Sequence, residues 1–181
     1  MRKKPEKPPF KRIMLFGKPG TGKSTYAKLL HQKLKLPVHH LDHYFYGPNW
    51  QELDYDFFIE RQRLLVKEDQ WIIDGNCTSS LEMRYQRAEI ALYFNYSRKT
   101  CLWRGLKRYL FKMREPYDLP TGCPERITLK LMRYLWNFDN NITPKLALLR
   151  LSYPEVEFVT IRSDKDLEKV TSHLCSVRVS S

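Results

Sequence analysis

Eight consecutive residues, Gly17-Lys18-Pro19-Gly20-Thr21-Gly22-Lys23-Ser24, satisfy G-x-x-x-x-G-K-[ST] at every fixed position. Glycines at this spacing let successive backbone N–H groups face one centre, and a following helix adds the positive end of its dipole, so the segment is built to hold phosphate oxygens. In such a cradle Lys23 reaches the β- and γ-phosphates and Ser24 ligates magnesium. Thr25 offers a second hydroxyl to the α-phosphate. The expected ligands are therefore ATP and Mg2+, with residues 17–25 as the binding segment. A glycine turn that merely joins strand to helix is the bland alternative.

Two carboxylates stand where they serve such a cradle. Asp74 closes the apolar run Trp71-Ile72-Ile73, the place from which a carboxylate addresses magnesium or its waters. An ordinary Asp-Gly turn is the competing reading. Asp42 follows Val38–Leu41 and is expected at the end of a second strand, at the edge of the sheet where ligands bind. There it is either a base taking a proton from an acceptor hydroxyl or a simple cap. Arg104 and Arg108 lie on one face of a helix, either as a solvated face or as cations closing over phosphates. Arg114, Arg126 and Arg133 flank the same region. Tyr44, Phe45, Tyr46 and Trp50 line an acceptor pocket or belong to the core.

These residues need a sheet edge to converge on. Ile13–Phe16 is a short apolar run stopping at Gly17, as a buried parallel strand does. Lys23–Lys35 has helical spacing through Tyr26, Ala27, Leu30 and Leu34, ended by Pro37. The segment 43–56 reads as a loop and about 55–68 as a helix. Further strands are expected at 71–73, 90–94 and 156–161, with a short helix near 80–87. A helix runs from Ser97 to about Met113, then a polar stretch, REPYDLPTGCPE, then a helix from Glu125 to about Phe138. This helix, loop, helix insert reads as a lid centred on about 108–126. A separate short helix follows Pro144, and Asp164 caps a last helix to Leu174. Alternating strands and helices predict an α/β protein: a parallel sheet with helices on both faces.

The chain has 181 residues, enough for one domain with a real core, and it is divided here into a basic tail at 1–10, expected to fray, and a domain at 11–181. No apolar stretch reaches membrane-spanning length, and the basic start lacks the apolar core of a secretory signal. Cys77, Cys101, Cys123 and Cys175 are spaced for neither zinc nor a disulfide framework, which reads as reduced thiols in a cytoplasmic protein. Lys plus Arg exceed Asp plus Glu by 32 to 20, a net charge of +12. An anionic partner fits this excess, and nucleotide phosphates, nucleic acid or solubility alone each account for it. Oligomeric state is not legible.

The segments GKPGTGKST, HLDHYFYGPNW, WIIDGN, CLWRGLKR and GCPERITLKLMRYLWNF together resemble the topology modulation proteins, an adenylate-kinase-like family, over about residues 12–174. The resemblance implies the P-loop NTPase fold of the nucleoside-monophosphate kinases, with three layers, a five-stranded parallel sheet and a helical lid. It implies ATP with magnesium as phosphoryl donor. Arg104 and Arg108 are similar to the arginine pair that holds adenine and phosphate in adenylate kinases, and Arg162-Ser163-Asp164 matches the loop that cradles adenine from the other side. The arginines with which adenylate kinases grip an acceptor phosphate are missing from LDHYFYGPNW and DGNCTS, leaving Arg84 and Arg87 as substitutes. Asp42 with Tyr44-Phe45-Tyr46 is similar to the Asp-x-Phe-Tyr of uridine-kinase-like enzymes, where the Asp meets a hydroxyl.

Two classes of function follow. One is a kinase transferring the ATP γ-phosphoryl group to a small acceptor, a nucleoside or nucleoside monophosphate foremost, with Lys23, Asp42, Arg104 and Arg108 as catalytic residues. The other is an ATP-binding regulator that contacts DNA through the basic surface. A slow ATPase is a third, lesser reading.

Overall fold

The computed structural model describes residues 10–111, 119–124 and 128–176. Five parallel strands form the central sheet: β1 (Arg12–Gly17), β2 (Val38–His40), β5 (Trp71–Asp74), β6 (Ile90–Phe94) and β7 (Glu157–Ile161), in the order β2-β5-β1-β6-β7. A two-residue hairpin pairs β3 (Tyr46–Gly47) with β4 (Gln51–Glu52). The helices are α1 (Lys23–Leu34), α2 (Leu41–Phe45), α3 (Tyr55–Leu65), α4 (Leu81–Tyr85), α5 (Arg98–Leu110), α6 (Leu129–Ser152) and α7 (Asp164–Cys175).

Near-continuous apolar strands are what a sheet covered on both faces requires. Alternate residues supply two cores. Met14, Phe16, Ile73, Ala91 and Tyr93 pack under Phe58 and Leu65 of α3, Tyr85 of α4 and Phe138 and Ile142 of α6. Ile13, Leu15, Ile72, Ile90 and Leu92 pack under Ala27 and Leu30 of α1 and Val170 and Leu174 of α7. The β1–β5 register sets Leu15 opposite Asp74, and the β2–β5 register sets His40 opposite the same residue. The sheet order thereby gathers the carboxyl ends of β1, β2 and β5 at one edge.

Several boundaries differ from the sequence expectation. The ladder of β2 ends at His40, because its partner Asp74 is the last residue of β5. Buried Leu41 then turns the chain into α2, so Asp42 lies in the first turn of a short helix rather than at a strand end. The expected loop at 43–56 contains the rest of α2, the β3–β4 hairpin and a 3-10 turn, Pro48–Trp50. Pro144 does not divide two helices: α6 runs through it for 24 residues. Phe138, Ile142, Leu146 and Leu149 form one buried face on both sides of Pro144, and that packing outweighs one lost backbone bond. The cap of α7 is Ser163, in a reciprocal capping box with Asp166, and Asp164 is already helical. Phe10, assigned to the tail, is buried against His173. Residues 1–9, Arg114 and Arg126 lie outside the described residues, as does much of the expected lid.

Candidate active site

The cradle is formed where β1 ends and α1 begins. Gly17 lies at φ +135, and a Cβ there would stand 2.3 Å from the Phe94 carbonyl oxygen, so only glycine lets β1 and β6 approach this closely. At Gly20, φ +78, a Cβ would stand 2.7 Å from the Cys101 carbonyl oxygen of α5. Asn76 clamps the entry: its Oδ1 accepts from Gly17 N–H at 2.9 Å and its Nδ2 donates to Gly17 C=O at 2.7 Å. Thr21 Oγ1 and Lys23 Nζ both donate to the Lys18 carbonyl, at 2.9 and 2.8 Å.

Lys18 and Lys23, five residues apart, have opposite placements. Lys18 is 4% exposed; its ammonium points away from the cradle, to Asn95, the Tyr96 carbonyl and the Asp139 carboxylate. Its backbone N–H donates to Phe94 C=O. Lys23 faces the cluster of carboxylates. Burial draws its ammonium below the usual lysine range, against the opposing pull of Asp74 and Asp42. Such a desolvated cation favours an incoming anion.

Asp74 is 5% exposed at the end of β5. Its Oδ2 accepts from Ser24 Oγ at 2.7 Å and lies 3.0 Å from His40 Nδ1. Burial works to raise its pKa, but the His40 hydrogen bond and the Lys23 charge outweigh that and hold the carboxyl below its usual range. Its Oδ1 is buried without a hydrogen-bond partner among the described residues. An ionised carboxylate with one orphaned oxygen beside a serine hydroxyl fits magnesium, which takes one or two protein oxygens and completes its shell with water and phosphate. Ser24 and Asp74 are the residues that would hold it.

Asp42 is exposed on α2 and acts electrostatically on Lys23, Tyr46 and Tyr134. Tyr134, from α6, is pushed up to about 12, first by burial and then by Asp42. Tyr134 also pairs with Asn76. The aromatic segment after Asp42 divides: Phe45 packs on Phe58, while Tyr46 meets Trp50, whose Nε1 donates to the Pro124 carbonyl. Asn49 N–H donates to Gly122 C=O, so the hairpin turn abuts segment 119–124.

Arg104 sits on the opposite flank. It donates to Thr21 C=O at 3.2 Å, forms a two-pronged bond to Asp164 at 2.8 Å and lies 4.6 Å over the Tyr96 ring. A cavity of about 510 Å³ opens beside it, lined by Thr21, Gly22, Thr25, Lys28 and Leu167 as well as Arg104 itself. Arg108 is near enough to act on Lys23. Arg162 is exposed in the loop before α7, its backbone N–H held by Asp166, and Arg133 is exposed on α6.

The substitutes considered for a second phosphate grip are engaged elsewhere. Arg84 is fully buried and donates to the carbonyls of Gly75, Cys77 and Ser80. Burial lowers its pKa to about 10. Arg87 donates to Val66 C=O. Sequence reasoning missed His40, Asn76 and Asp139. Only the direct continuation of Asp74-Gly75 into Asn76 carried a local signal for any of them.

The sheet order, the flanking helices and the cradle at the end of β1 define a P-loop NTPase fold of the kind found in small-molecule kinases. No family model matches the chain. It is 29% identical over 184 residues to adenylate kinase 2 of Synechocystis sp., covering 82% of this chain and 96% of that protein. Among solved structures it is similar to shikimate kinase from Acinetobacter baumannii in complex with shikimate, at TM-score 0.58 and 16% identity, covering 95% of this chain and 97% of that one. Shikimate kinase from Bacteroides thetaiotaomicron superposes at TM-score 0.57 with 16% identity, over 91% and 98% of the two chains. The structural likeness shows the fold, and the sequence likeness to an adenylate kinase supports a P-loop kinase. No described helix is long and apolar enough to cross a membrane.

Proposed function

We propose that this chain is an ATP-dependent phosphotransferase that moves the γ-phosphoryl group to a hydroxyl of a small acceptor, with a nucleoside favoured over a nucleoside monophosphate. The observation that carries the reading is the convergence of Lys23, Ser24, Asp74 and Asp42 on one sheet edge, with Asp42 close enough to bear on the Lys23 charge.

The cradle amides and Lys23 bind the phosphates, and Arg104 with the adjoining cavity receives the base. Magnesium, when bound, neutralises charge on the β- and γ-phosphate oxygens. Asp42 orients the acceptor hydroxyl and takes its proton as that oxygen bonds to the γ-phosphorus. The bond from phosphorus to the ADP oxygen breaks, and the proton passes from Asp42 to solvent. Tyr46 and Tyr134 flank the acceptor. Arg84 and Arg87, turned to backbone carbonyls, give no grip on an acceptor phosphate, which favours a neutral acceptor. The kinship with topology modulation proteins is a proposal of the same class, carried by the segments that accompany the cradle.

The test is ADP release from Mg-ATP with a panel of nucleosides, nucleoside monophosphates and shikimate, beside Lys23→Ala and Asp42→Asn. One acceptor is expected to stimulate release and to carry the phosphate, and Asp42→Asn is expected to cut turnover by about 10² to 10⁴ while leaving ATP affinity near wild type. No stimulation by any acceptor, with ATP still bound, sinks the reading.

A further inference from the structure

His40 is the last residue of β2, and the parallel register puts it directly opposite Asp74, the last residue of β5. Its Nδ1 lies 3.0 Å from Asp74 Oδ2. An ionised carboxylate only accepts, so Nδ1 carries the proton and donates. Asp74 Oδ2 therefore receives two hydrogen bonds, from His40 and from Ser24, while the buried Oδ1 receives none among the described residues. The carboxylate is asymmetric: one oxygen is saturated by the protein and the other is left for a cation.

Of the two groups holding Oδ2, Ser24 belongs to the cation site itself. Its hydroxyl gives its proton to Asp74 and keeps its lone pairs for a metal. His40 is the donor outside the phosphate loop that holds Asp74 Oδ2, at 3.0 Å. Without it, the Ser24 hydroxyl alone holds Oδ2, and the Asp74 carboxylate gains freedom about its last torsion.

We propose that His40 is the positioning residue of the magnesium site, fixing Asp74 so that Oδ1 faces the cation; this rests on the reading that Ser24 and Asp74 hold magnesium. Neighbours that orient a ligating group typically contribute ten-fold or more to metal affinity.

The test reads metal-dependent nucleotide binding rather than turnover. The ADP dissociation constant is measured calorimetrically in Mg2+ and again in EDTA, for wild type, His40→Ala and His40→Asn. Wild type is expected to bind ADP more tightly with Mg2+. His40→Ala is expected to lose about ten-fold of that gain while its EDTA value stays within two-fold of wild type, because the cradle is untouched. His40→Asn, whose amide N–H stands near the position of Nδ1, is expected to restore most of the gain. If the alanine variant does not fold, His40→Phe, which keeps ring bulk without the donor, carries the same expectation. A full metal-dependent gain in a folded variant lacking the donor overturns the inference. A wild-type protein that gains nothing from Mg2+ overturns the magnesium reading beneath it, and with it the role of His40.

Discussion

The Lys18 ammonium lies 3.0 Å from the Asp139 carboxylate, tying the second residue of the Gly17–Ser24 loop to the middle of α6. Lys18 also gives its carbonyl to Thr21 and Lys23, so the same residue that anchors the cradle to α6 shapes its interior. Tyr93 and Arg98 join Asp139 as well, making it a junction between β6, α5 and α6.

Removing one side of this pair leaves a nearly buried ammonium short of its counter-charge. Asp139→Ala is expected to destabilise the protein by about 2 kcal/mol, below the usual cost of breaking a fully buried pair because Asp139 is partly solvated. Urea denaturation measures it. An unchanged midpoint refutes the junction.

Lys23 is held in a desolvated position that disfavours its charge. Its hydrogen-bond acceptor, Lys18 C=O, keeps Thr21 as a partner when Lys23 is removed. Lys23→Met is therefore expected to leave the melting temperature of the free protein unchanged or raised, and to abolish the rise produced by ATP. Differential scanning calorimetry with and without nucleotide reads both.

Two glycines are expected to respond in opposite directions. Gly17→Ala drives a Cβ into the Phe94 carbonyl at an unfavourable φ and is expected to cost roughly 3 kcal/mol or more. Gly105→Ala, inside α5 with open space at its Cβ, is expected to stabilise by about 1 kcal/mol. Chemical denaturation of the pair separates close approach from mere flexibility.

Asp164 titrates in a sense that can be checked. The Arg104 and Tyr96 hydrogen bonds hold its pKa below the usual 3.8. A carboxylate depressed in the folded state stabilises above its unfolded pKa, and that contribution is lost as pH falls through the folded value. The stability difference between wild type and Asp164→Asn is thus expected to be constant near neutrality and to shrink below about pH 4. The effect is small because the pair is exposed. A difference that grows on acidification contradicts the assignment.

The segments of the candidate site are legible because they are local. A phosphate cradle needs its glycines, lysine and serine at fixed spacing along one stretch of chain, and Asp74 announces itself by ending an apolar run. The strand and helix alternation was equally legible, since burial on both faces demands apolar strands. Asp42 was located at the right edge but in the wrong element, because nothing local says that β2 runs out of partner at His40.

What the sequence determined by itself was the glycine-rich turn after β1, the parallel α/β architecture and the carboxyl edge on which the candidate site lies. Tertiary structure decided that Lys18 sends its ammonium to Asn95 and Asp139, that Pro144 is carried within one helix, and that His40 meets Asp74. The physical reason is common to all three. Each depends on pairings between residues far apart in the chain, whose energies arise from strand register and shared burial rather than from local propensity.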